Sequence, residues 1–222
     1  MSRSSVLSAI RRPESAAIAG LVFAAILGAA LALLHGAAPG NTDEARAWLS
    51  DDARRSAVDL ALTLVPFAGI AFLWFIAVIR THLGARDDRF FETVFLGSGF
   101  IFVAAMFTAA AVLKTVLLLD ASAAPPTPDI ASFAWTFASA ILGLFGAKMA
   151  AVFTFAAASA GVRASSLPRW LGILGYVTGV CLLVIPPLPA VAQFLFPVWV
   201  ALVSLLILVR RNHLHPRVGT TP

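Results

Sequence analysis

Three ionisable residues stand inside otherwise apolar stretches: Asp59, Lys114 and Lys148. An unpaired charge in hydrocarbon costs at least about 2.5–3.5 kcal/mol, so each must pair, reach the interface or face a wet cavity. Groups placed this way are the candidates for moving a proton or holding a solute. Asp59 opens the second apolar stretch and Lys114 lies near the far end of the third, which puts both toward one membrane face; the depth of Lys148, within a long fourth stretch, is not fixed. The expectation is an outer-leaflet polar cluster in which Asp59 neutralises Lys114 or Lys148, with His35 and Gln193 nearby. A structural alternative lets Lys114 extend past Asp120 to the interface, while Lys148 pairs with Asp59 only to fix helix register.

Other chemistry-bearing residues point to less. Arg86-Asp87-Asp88-Arg89-Phe90-Phe91-Glu92 is the densest charge pattern. Its adjacent carboxylates could share a divalent cation, but a metal site draws ligands from several places, and a solvated loop pairing its own charges is the plainer reading. His213 and His215 lack a third ligand and read as interfacial. Cys181, the single cysteine, lies in an apolar run and excludes an internal disulfide. There is no His-Glu-x-x-His, Gly-x-Ser-x-Gly or phosphate-binding glycine loop, and no pair of aspartates within the apolar stretches. The expectation is therefore no catalytic residue, no metal and no cofactor.

The elements that must position Asp59, Lys114 and Lys148 follow from composition. The chain has 222 residues, 60% hydrophobic and 12% charged, far more apolar surface than a soluble domain hides. A bilayer core about 30 Å thick takes roughly 20 helical residues, and unbroken Leu-, Ala- and Phe-rich runs imply helices rather than alternating barrel strands. Six spans are predicted, at about 16–34, 57–79, 93–119, 130–160, 170–185 and 190–209, forming one integral membrane domain over 1–222. The first exceeds a secretory core and reads as a retained anchor rather than a cleaved leader. The fourth is longer than one crossing needs, so it must tilt, break near Gly143 and Gly146, or project. The fifth is the shortest, and with the sixth could instead form a re-entrant pair.

Basic residues then set orientation. Arg3, Arg11, Arg12, Arg80, Arg86, Arg89, Arg163, Arg169, Arg210, Arg211 and Arg217 fall on one side of a six-span arrangement, and only Arg46, Arg54 and Arg55 on the other. This skew predicts both termini in the cytoplasm. It also accounts for the net charge of +5 as arginines flanking spans, so lipid rather than nucleic acid is the expected partner.

On the outer side, Gly36 to Ser56 is the one sizeable loop. Thr42 and Ser50 precede acidic pairs in the manner of helix N-caps, which predicts a short surface helix carrying Trp48 and a second helix entering the membrane. Trp135 and Trp170 read as interface anchors, and Pro66 and Pro197 as kinks. Small residues recur every fourth position at Ala16, Gly20, Ala24, Gly28 and Ala32, again at Ser139, Gly143, Ala147 and Ala151, and as Gly175 and Gly179. Such stripes let backbones approach closely and predict packing within the bundle in preference to self-association.

Three stretches also occur together in a familiar way: Leu64-Val65-Pro66-Phe67-Ala68-Gly69-Ile70-Ala71-Phe72-Leu73-Trp74-Phe75, Asp88-Arg89-Phe90-Phe91, and Leu167-Pro168-Arg169-Trp170-Leu171-Gly172. With them the chain resembles uncharacterised bacterial multi-pass integral membrane proteins of unknown function. The resemblance implies a bacterial inner-membrane location and carries over no active-site residue. The expected fold is all-α, a six-helix transmembrane bundle with both termini cytoplasmic. Its expected role is a non-enzymatic component that packs with or assembles other membrane proteins, the alternative being a small transporter or channel-like protein using Asp59, Lys114 and Lys148.

Overall fold

A computed structural model describes residues 13–82, 89–120, 125–184 and 190–212. The arginines before residue 13, the Arg86-Asp87-Asp88 loop, the prolines at 186, 187 and 189, and the tail histidines lie outside these residues. The described chain is all-α, without strands: α1 (Pro13–Ala37), α2 (Thr42–Leu49), α3 (Asp52–His82), α4 (Arg89–Asp120), α5 (Pro128–Ala140), a π-helical segment (Ile141–Gly146), α6 (Ala147–Arg163), α7 (Arg169–Val184), a 3-10 segment (Ala190–Phe194) and α8 (Leu195–Asn212). Five of its helical stretches are long and apolar enough to cross a membrane: Ala17–Ala37, Asp52–Arg80, Glu92–Leu119, Pro128–Arg163 and Ala192–Arg210. The expected fifth span, α7, has 16 residues and reaches about 24 Å, short of the usual length.

Local chemistry explains the boundaries. Asn41, in extended conformation, caps α2 by accepting the Glu44 amide at 2.9 Å, and the Glu44 carboxylate reaches back to the Gly40 amide at 2.7 Å. Asp51 does the same for α3, accepting the Arg54 amide at 3.0 Å. The expected caps, Thr42 and Ser50, are thus each displaced by one residue, because Asn and Asp beside them offer the same acceptor from the better backbone geometry. The fourth stretch does not break: it runs from Pro128 to Arg163 with a π turn at Ile141–Gly146 where the two glycines sit. Pro66 lies inside α3. Pro197 instead falls in the first turn of α8, where its missing N–H leaves no gap in the helix ladder. α6 ends at Arg163, and just beyond it Ser165, with a left-handed φ of 54°, turns the Ser166 and Leu167 amides, each at 3.0 Å, onto the Gly161 carbonyl.

The helices lock around a phenylalanine core. Phe72 on α3 contacts Phe23 of α1, Phe102 of α4, Phe153 of α6 and Phe196 of α8, with ring centroids 4.5–5.6 Å apart. Lipid is as apolar as these rings, so close fit supplies most of the stabilisation. Part of each small-residue stripe serves close packing, although Gly143 on the second stripe has open space beside it. A Cβ at Gly20 would strike Ser204 and Phe75, one at Gly175 would meet Ala158 and Trp199 at 2.9 Å, and one at Gly179 would meet Phe155 at 2.8 Å. Gly28, on the same stripe as Gly20, has open space where its side chain would be.

Gly20→Leu should therefore lower the melting temperature in detergent by about 5 °C or more, through overpacking. Gly28→Leu should leave it within about 2 °C. Equal losses for both would mean the stripe packs along its whole length.

Candidate functional site

Helix lengths create the candidate site. From the end that carries Arg80, Arg163, Arg169 and Arg210, α3 and α4 extend for 31 and 32 residues, against 16 and 18 for α7 and α8. At about 1.5 Å per residue, helices α7 and α8 reach less far than these neighbours. At the opposite end, which carries α2, the space they leave unfilled is a crevice of about 310 Å³. Its walls come from α1, α3, α4, α5 and the π segment, and Gln193 in the 3-10 segment stands at its edge. α1 and α5 face each other across it and scarcely touch. A smaller void of about 30 Å³, lined by Phe102, Leu142, Leu182 and Phe196, lies beneath and shares Leu27, Leu31, Leu142 and Gln193 with it. Below that the phenylalanine core closes the bundle.

The crevice lining is mainly apolar, with His35, Trp135, Ser139 and Gln193 as its polar side chains. His35 bonds its own helix, Nδ1 to the Leu31 carbonyl at 2.8 Å, and its ring stands 5.9 Å from that of Phe194. Trp135 is 7% exposed and packs edge-on against Trp48 of α2, ring centroids 5.9 Å apart. Its indole N–H has no hydrogen-bond partner among the described residues. Trp135 is therefore a buried wall residue rather than the expected interface anchor, because α2 folds over it. Trp170, by contrast, is 56% exposed beside Arg169 in the first turn of α7.

The three charged candidates do not form one cluster. Lys114 pairs with Asp59, joining α4 to α3. Both are partly exposed, and Asp59 borders an open polar groove with Asp52, Arg55, Ser56 and Thr63. Lys148 takes no part: its Nζ donates to the Leu182 carbonyl at 3.1 Å. Leu182 lies in the last turn of α7, where carbonyls lack amide partners and the helix dipole favours a cation, so Lys148 serves as a side-chain cap. That contact sets the depth the sequence left open, level with the end of α7. His35 and Gln193, expected beside the charged pair, line the crevice instead, and neither Asp59, Lys114 nor Lys148 contributes to its wall.

Sequence reasoning missed the crevice itself. The available signal was the brevity of the fifth apolar stretch between far longer neighbours. Among the described residues no three of His, Cys, Asp and Glu converge on a point that could hold a metal. Comparison of the chain with family models, curated proteins and solved structures finds no match.

Lys114→Met should lower stability by about 1 kcal/mol, and exchange of the charges, Asp59→Lys with Lys114→Asp, should restore it. Exchange between Asp59 and Lys148 should rescue nothing. Thermal unfolding in lipid nanodiscs distinguishes the two pairings, and rescue by the second exchange would overturn the one described.

Proposed function

We propose that the chain is a non-catalytic, multi-pass protein of the bacterial cytoplasmic membrane that holds a small solute in the crevice, in the manner of a small transporter. In this reading α7 completes six crossings, both termini lie in the cytoplasm, and the crevice opens in the outer leaflet. The arginine skew supports the orientation, since Arg80, Arg163, Arg169 and Arg210 gather at the end away from α2.

The observation that carries the reading is the crevice: a concave, mostly apolar space with a few polar groups, the usual form of a small-molecule site. The buried phenylalanine cluster lies between it and the arginine end, which supports access from the α2 end. The Asp59–Lys114 and Lys148–Leu182 contacts have structural uses and leave the crevice without a fixed charge. An assembly role retains one specific support, the face of α1 at Ala24, Gly28 and Ala32, which is small and open toward its end near α2.

Purification in native lipid followed by native mass spectrometry tests the proposal. A small molecule should remain with the wild type and be lost from Ala109→Phe, which fills the crevice wall. Absence of any small molecule, with a protein partner retained until Gly28→Leu removes it, would replace this reading with assembly.

A further inference from the structure

The polar atoms of the crevice restrict what it can hold. A carbonyl only accepts, so the His35 Nδ1 bonded to the Leu31 oxygen must carry the proton. In the neutral ring Nε2 is then a bare acceptor, and it has no partner among the described residues. Gln193, which lines both the crevice and the void beneath, makes no side-chain hydrogen bond among the described residues. The Trp135 N–H, on a side chain 7% exposed in the same wall, is likewise unpartnered among the described residues, but its neighbours cover it and it is not offered to an occupant. Polar atoms without protein partners stand poorly matched among apolar walls, and a ligand that meets His35 and Gln193 gains hydrogen bonds there. The rest of the lining is aliphatic, and the crevice contains no carboxylate, ammonium or guanidinium.

Resting on the crevice as a ligand site, we infer that its occupant is an uncharged molecule with an apolar body and a hydroxyl group that donates to His35 Nε2, with Gln193 completing the pairing. An anion finds no cation in the crevice, and a cation finds no carboxylate. An ether or ketone of the same size leaves Nε2 unpaired. Such a molecule can come from the outer leaflet, through the gap between α1 and α5, or from water.

The test uses 1-decanol, its methyl ether and decanoate as probes of the full chain in nanodiscs, read by emission of Trp135 against a Trp135→Phe control. Decanol should bind saturably, about tenfold tighter than the ether and far tighter than decanoate. His35→Phe should bind decanol and the ether equally. A short-chain diol should bind less than decanol if the source is the leaflet, and comparably if it is water. Equal binding of alcohol and ether to the wild type, a preference for decanoate, or survival of the alcohol preference in His35→Phe would overturn the assignment while leaving the crevice a ligand site. If no probe binds and Ala109→Phe changes nothing, the crevice reading falls with it.

Discussion

Phe72 is the contact on which the arrangement turns. Its ring meets one phenylalanine from each of α1, α4, α6 and α8, so a single side chain sets the relative height of five helices. Aromatic pairs of this kind are worth about 0.5–1.5 kcal/mol each beyond the area they bury. In hydrocarbon there is little hydrophobic drive to add to that, so geometry decides. The rings fit because the helices beside them carry almost no side chain. Gly20 admits Phe75 and Ser204, and Gly99 accommodates Ile76 and Phe153.

Once the heights are fixed there, differences in helix length appear at the ends. α3 and α4 continue for several turns past the phenylalanine layer, and α5 rises beside them, while α8 begins almost at that layer with Phe196 in its first turn. The resulting gap is enclosed by apolar walls, and its polar groups arrive from three unconnected places: His35 from the end of α1, Trp135 from α5 and Gln193 from the 3-10 segment. Trp135 finishes the wall, and α2 lays Trp48 against it. The amphipathic loop helix thus braces the crevice rather than lying free on the surface.

Much of this was legible in the residues. Five spans follow from runs of apolar residues because hydrocarbon leaves the backbone no other choice. The pairing of Asp59 with Lys114 was one of two options offered by position along adjacent helices. What escaped was whatever depends on how far one helix extends relative to another. Lys148 meets Leu182 only because α7 ends at that level, and spacing along α6 does not encode it. The void is likewise a difference between lengths, with no motif of its own. The caps were misplaced by one residue because adjacent Asn, Thr, Ser and Asp present similar oxygens and only backbone conformation chooses among them.

The brevity of α7 also has a consequence for the surrounding lipid. If α7 completes six crossings as proposed, an apolar helix of about 24 Å beside a hydrocarbon slab about 30 Å thick would leave a mismatch that the bilayer absorbs by pinching inward. Lys148, with its ammonium on the last turn of α7, would then stand at that rim, where headgroups and water drawn into the dimple would hydrate it. Along this flank the protein would carry a local thinning of the membrane, and thin bilayers would accept it more readily than thick, sterol-stiffened ones.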